Sequence, residues 1–125
     1  MSISKLIERL KRKLFFSIGR AGMDLYAEPP GTEFEKANNF SAHLGGSAGN
    51  IAVALAKLDC EVELVTCFSD DAVGRFASSR LHEFGVGTSH CRIVGGEARN
   101  TLAVIETRLK DCQSCLLYTS DAADE

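Results

Sequence analysis

The chain has 125 residues, of which 45% are hydrophobic and 25% charged, with a formal net charge of −3. That length allows one domain with a real core but not two, and the charge gives no overall electrostatic footprint for nucleic acid. No apolar run approaches the roughly 20 residues needed to span a bilayer, so no membrane partner is expected.

Met1 to Lys13 lacks the apolar stretch and small-residue cleavage site of a secretory signal. Leu6, Ile7, Leu10 and Leu14 fall near helical spacing, which allows a short basic amphipathic helix. The favoured expectation is a solvated or frayed leader. Leu14 to Ile18 then reads as a buried strand running into Gly19-Arg20-Ala21-Gly22-Met23-Asp24, a glycine-containing turn. Tyr26 to Gly31 is a breaker cluster in which Pro29 and Pro30 forbid helix. Phe34 to Leu44 is polar with isolated apolar residues, an edge strand or an exposed flap.

The clearest helix follows Gly45-Gly46-Ser47. Ile51, Ala54, Leu55 and Leu58 recur at three- and four-residue spacing, Ala48, Ala52 and Ala56 allow close packing, and Ser47 is the expected N-cap. Glu61 to Phe68 alternates apolar and polar as a strand does. A second helix is expected from about Asp71 to Phe84, stopped by Gly85. Cys91 to Val94 and Thr101 to Thr107 read as two strands around Gly95-Gly96, a hairpin-like signal. Strands alternating with helices at this spacing indicate an α/β domain with parallel pairing.

Five cysteines (Cys60, Cys67, Cys91, Cys112 and Cys115) form no disulfide framework. The Cys112/Cys115 pair stands alone, without a second pair or a matching histidine, so neither zinc nor redox chemistry is expected of it. Free thiols fit the cytoplasm.

Two places carry candidate chemistry. At Gly45-Gly46-Ser47-Ala48-Gly49-Asn50, adjacent glycines let backbone approach a ligand, and a helix then begins with open N–H groups and the positive end of its dipole. Asn50 adds a side chain that both donates and accepts. A turn whose glycines serve packing alone fits the same spacing. There is no G-x-x-x-x-G-K-[ST] and no good G-x-G-x-x-G, so a polyol or sugar acid fits better here than nucleotide phosphates. The second place is Asp24, expected at the end of the first strand, where ligands of parallel α/β sheets gather. A carboxylate there can accept two sugar hydroxyls, or it can cap a turn.

Gly19-x-x-x-x-Asp24 followed by Gly45 to Leu58 resembles the first signature of the PfkB, ribokinase-type carbohydrate kinases. Phe68-Ser69-Asp70-Asp71-Ala72-Val73-Gly74 is similar to that family's G-x-D-x-x-G segment, with Ser69 where glycine is often found. Within the family, Ile18 to Tyr26 and Gly95 to Val104 most resemble the sugar-acid kinases of inositol catabolism. The resemblance implies the N-terminal part of a ribokinase-like doubly wound α/β sheet with a small β lid, spanning residues 14–114, with lid segments near 32–44 and 91–107. It implies a sugar site lined by Asp24, Gly46, Ser47 and Asn50, with Arg99 on the lid either meeting a substrate carboxylate or standing in solvent. It also implies ATP and Mg²⁺ as cofactors, a small sugar acid as partner and a homodimer contact through the lid. The alternatives are a related kinase acting on ketodeoxygluconate, fructose or ribose, and a non-catalytic sugar-binding module.

The family's anion hole and catalytic Asp lie in a D-T-x-G-A-G-D motif that does not occur here, so no catalytic residue is assigned. Cys115 to Glu125 can be encoded by a string that looks like the transposase adapter of sequencing libraries. Those residues are expected to be a non-native tail, against a competing reading as a genuine strand and loop. A doubly wound sheet cut near its middle is expected to leave an open edge and an uncovered apolar face, and so to be marginally stable. The 125-residue chain alone is expected to show no ATP-dependent kinase turnover; saturable ADP release in a coupled assay would overturn that.

Overall fold

The computed structural model describes residues 2–11 and 13–106. The Cys112/Cys115 pair, the proposed tail 115–125 and the end of the expected strand at Thr107 lie outside these residues. In chain order the elements are α1 (Ile3–Leu10), β1 (Leu14–Ile18), β2 (Gly22–Glu28), a 3₁₀ turn (Phe34–Lys36), β3 (Asn39–Gly45), α2 (Ser47–Lys57), β4 (Glu61–Val65), β5 (Cys67–Ser69), α3 (Ala72–Glu83), β6 (Arg92–Val94) and β7 (Leu102–Ile105).

The N-terminal segment is helical rather than frayed. The Ser2 side chain accepts from Lys5 N–H, and α1 buries none of its residues. The α/β expectation is met in the pairing. β1 lies parallel to β4, β5 to β6 and β2 to β7, while β3 runs antiparallel to β2. β4 and β5 divide the single strand expected over Glu61 to Phe68, and their break falls at Thr66, whose hydroxyl is buried without a partner among the described residues.

Helices α2 and α3 cover one face of β4 and β5. The core there is Ala21, Ala48, Ala52, Val53, Val62, Leu64, Phe68, Ala77, Leu81 and Val86. The buried stripe of α2 is Ala48, Gly49, Ala52 and Val53. Ile51 and Leu58, expected to face the core, are 56% and 42% exposed. The reason is steric: α2 packs so closely on the loop after β1 that only small side chains fit between them. A Cβ on Gly49 would stand 3.1 Å from Ala21 Cβ, and one on Gly19 would stand 3.0 Å from Ala48 Cβ. The opposite face of β1 presents Leu14, Phe16 and Ile18, 48%, 50% and 77% exposed, as an uncovered apolar face should.

Two further expectations fail. Cys91 to Thr107 is not a hairpin: β6 joins β5, while β7 joins β2 in a separate sheet ordered β3-β2-β7. Of the expected lid segments, β3 and β7 therefore share a sheet, with β2 between them, and β6 does not belong to it. Parallel pairing explains this, since two strands that each run parallel to different partners cannot close on one another through a tight turn. Ser47 is not the N-cap either. Gly46 holds that position at φ 92°, where it contributes no side-chain bond.

One side chain joins the layers. Asn100 is 5% exposed. Its Oδ1 accepts from Ser69 N–H (2.6 Å) and Ser69 Oγ (2.8 Å), its Nδ2 donates to the Ala21 carbonyl (2.8 Å), and its own N–H donates to Ser69 Oγ (3.1 Å). The single Ser69 hydroxyl proton is shared between Asn100 Oδ1 and Asp71 Oδ1 (2.8 Å to each), and the latter oxygen caps α3 through Gly74 N–H (2.9 Å). Truncating Asn100 strands a buried donor at Ser69 and a buried acceptor at Ala21. Asn100→Ala is expected to cost about 2–4 kcal/mol, seen as a lowered urea midpoint. An unchanged midpoint would show that the network contributes little.

Candidate functional site

Asp24 is the third residue of β2, not the last of the first strand. β1 ends at Ile18, and the chain turns through Gly19 (φ 142°) before β2 begins at Gly22. β2 is clamped at its start, where Met23 N–H donates to the Thr101 carbonyl at 2.9 Å. Its register then sets Asp24 opposite His43 of β3 on one side and Ala103 of β7 on the other.

The carboxylate of Asp24 sits against the strand-to-helix turn. A Cβ built on Gly45 would overlap Asp24 Oδ1, so glycine at 45 is what leaves space for the acid. Burial pushes the Asp24 pKa up, and the charge of His43 opposes this in part. No hydrogen bond holds the carboxylate among the described residues. A half-buried acid with unused acceptor capacity, beside the start of a helix, is equipped to receive hydroxyl donors.

The turn itself is shaped by backbone proximity. Gly46 takes a positive φ, and a Cβ there would overlap the Arg20 carbonyl oxygen. That carbonyl accepts from Gly49 N–H (3.3 Å), and Asn50 N–H donates to the Gly46 carbonyl (3.0 Å). Two first-turn donors of α2 are thus used internally, while the side chains of Ser47 and Asn50 are exposed. Ser17 Oγ, buried in β1, donates to the Ala48 carbonyl at 2.9 Å and fixes the turn from below.

The structure therefore brings Asp24 to the Gly45–Gly46 turn, with Ser47 opening the helix and Asn50 in its first turn. Arg99 has no hydrogen bond or ion pair to these residues among the described ones. Its Nη1 donates to the Gly96 carbonyl (2.9 Å) and the Ala98 carbonyl (2.7 Å). Its charge acts on Asp71: burial works to raise the Asp71 pKa, but bonds from Gly74 N–H, Ser69 Oγ and Val73 N–H, together with Arg99, hold it below the usual value. Sequence reasoning missed two residues here. Asn100 fixes the Ala21 carbonyl behind the turn, yet it binds partners 31 and 79 positions away and carries no local signal. His43 was hidden in a polar strand whose register with β2 no spacing reveals.

Replacing Asp24 by Asn removes a charge that burial disfavours. Because the folded-state pKa is raised, the penalty is present above that value and disappears as the pH falls below the unfolded value near 3.8. Asp24→Asn is therefore expected to be the more stable protein at neutral pH, with the advantage closing in acid. Thermal unfolding across pH checks this; equal melting at neutral pH would contradict it.

The pfkB family carbohydrate kinase model matches residues 12–125. The chain is 36% identical over 107 residues to a 5-dehydro-2-deoxygluconokinase of Photobacterium profundum, a match covering 86% of this chain and 32% of that protein. It is 37% identical over 108 residues to a protein of the same name from Shouchella clausii, covering 86% and 33%. The chain thus spans about a third of the length of these relatives. Among solved structures, the 2-dehydro-3-deoxygluconokinase of Thermotoga maritima superposes with a TM-score of 0.77 at 22% identity, over 90% of this chain and 33% of that one. The fructokinase of Xylella fastidiosa with bound ATP superposes with a TM-score of 0.72 at 26% identity, over 90% and 34%. A ribokinase-like α/β fold is common to these neighbours and to the β1–β7 arrangement described above, and with a family match over most of its length the chain belongs to the pfkB family of carbohydrate kinases.

Proposed function

We propose that this chain supplies the sugar-holding part of a kinase that transfers the γ-phosphate of ATP to 5-dehydro-2-deoxygluconate. The observation that carries it is the Asp24 carboxylate, half-buried against Gly45 with no hydrogen-bond donor of its own among the described residues. An acid kept unpaired in that way accepts two adjacent hydroxyls of a sugar, and the exposed Ser47 and Asn50 side chains offer further polar contacts beside Gly46. The choice of substrate rests on the names of the 36–37% identical relatives. Arg99 reaches a substrate carboxylate only through a rotamer that releases Nη1 from the Gly96 and Ala98 carbonyls.

Among the described residues no group of three or more His, Cys, Asp or Glu could hold a metal ion. ATP and Mg²⁺ enter as the cofactors of the whole protein. The kinase pairs with a second copy through the β3-β2-β7 sheet, in which β3 is an edge strand among the described residues, and it works in the cytoplasm. No described helix is long and apolar enough to cross a membrane.

The test is the complete reading frame, assayed for ADP release with 5-dehydro-2-deoxygluconate, 2-dehydro-3-deoxygluconate, fructose and ribose. The first is expected to give the highest kcat/KM. Asp24→Ala is expected to lower that value about a hundredfold or more, since two hydrogen bonds to a charged group are lost. Preference for another sugar overturns the substrate, and an unimpaired Asp24→Ala overturns the site.

A further inference from the structure

Residues 2–13 hold five of the chain's 14 lysines and arginines (Lys5, Arg9, Lys11, Arg12 and Lys13) and one of its 17 acids, Glu8. The rest of the chain therefore carries 9 basic and 16 acidic side chains. An acidic body thus bears one basic segment. The family match begins at residue 12, so α1 stands outside the residues that it covers.

The helix is also two-sided. Ile3, Leu6, Ile7 and Leu10 recur at three- and four-residue spacing and form one stripe, with Lys5, Glu8 and Arg9 off it. None of its residues is buried, and Ile3 and Leu6 are 77% and 42% exposed. The helix is nonetheless held at both ends. Ser2 Oγ accepts from Lys5 N–H at its start (3.4 Å). At its end Lys11 Nζ reaches Asp59 at 3.2 Å and Glu8 at 3.6 Å. α1 is thus tethered to the body just past the C-terminal end of α2, while Ile3 and Leu6 remain in solvent.

We propose that α1 is a peripheral membrane anchor that lays Ile3, Leu6, Ile7 and Leu10 into the interface of an anionic bilayer. Span length alone spoke against a membrane partner in the sequence; a helix lying in the interface needs only one apolar face and cations beside it. The charges choose the occupant. An anionic lipid surface attracts the cations of residues 2–13 and repels the acidic remainder, so the body is kept outside it. Nucleic acid would meet the cations but leave the apolar stripe in water. A second copy would cover the stripe but bring like charges together. A single short helix binds weakly and reversibly, so the protein exchanges between surface and solution. The inference does not rest on the sugar site.

The complete protein is sedimented with vesicles of phosphatidylcholine, alone or mixed with an equal amount of phosphatidylglycerol. Binding is expected only to the mixed vesicles, and to fall about tenfold or more between about 0.05 M and about 0.5 M NaCl. Leu6→Asp, and Lys5→Glu combined with Arg9→Glu, are each expected to weaken it about tenfold or more. The melting temperature is expected to stay unchanged in both, since α1 buries none of its residues. Equal binding to phosphatidylcholine alone overturns the proposal, because charge then has no part. So does Leu6→Asp bound as tightly as the parent, because the apolar stripe then stays out of the bilayer. A dimer that Leu6→Asp splits in sedimentation equilibrium gives the stripe to a second copy and also overturns it. A melting temperature that falls in step with vesicle binding makes α1 part of the folded body, with the same result.

Discussion

The near-contact of two backbones, the loop Gly19–Ala21 and the first turn of α2, is the constraint on which the remaining geometry depends. It is enforced by size, since a side chain on Gly46 would collide with the Arg20 carbonyl and one on Gly49 would crowd Ala21. It is also held by hydrogen bonds, from Gly49 N–H to Arg20 and from Ser17 Oγ to Ala48. Because the helix start cannot drift from the loop, the beginning of β2 is fixed relative to it, and with it Asp24. A looser junction filled by larger side chains would bury more apolar area but would leave the acid and the helix start free to move apart.

Asn100 extends that constraint to the other layer. By holding the Ala21 carbonyl and both polar groups of Ser69, it ties the β1–β2 loop to the end of β5, and through Asp71 to the cap of α3. Every described polar atom of this cluster has a partner, which is the condition under which a buried polar network specifies one arrangement rather than weakening the core. The Ser69 hydroxyl is used three times in the network, sharing its one proton between Asn100 Oδ1 and Asp71 Oδ1 and accepting from Asn100 N–H. Its side chain is therefore part of the architecture.

The elements themselves were largely legible. Leu14 to Ile18, the helix after Gly46 and the helix after Asp71 all lie within a few residues of where periodicity and capping put them, because each depends on its own local sequence. What failed depends on partners. The hydrophobic stripe through Ile51 and Leu58 looked like a core face, yet the buried face consists mainly of alanines and a glycine, whose contribution is closeness rather than area. The glycines at 95 and 96 looked like a hairpin turn, yet nothing local says that the strands on either side join different neighbours. Of the candidate site, Asp24 and the glycine turn could be read from spacing together with a family resemblance. His43 could not, since a one-residue change of register between β2 and β3 would send it to the other face.

Gly45 is not needed for its backbone angles, as it is not among the residues of positive φ. It is needed because the Asp24 carboxylate occupies the space its side chain would take. What fits at one position therefore depends on what stands at the other. With the acid in its present rotamer only glycine fits at 45, whereas a shorter residue at 24 leaves room for alanine or serine there. The order of the two changes matters, because the path through a side chain at 45 first passes through a steric clash, and the path through residue 24 first passes only through a loss of ligand contact.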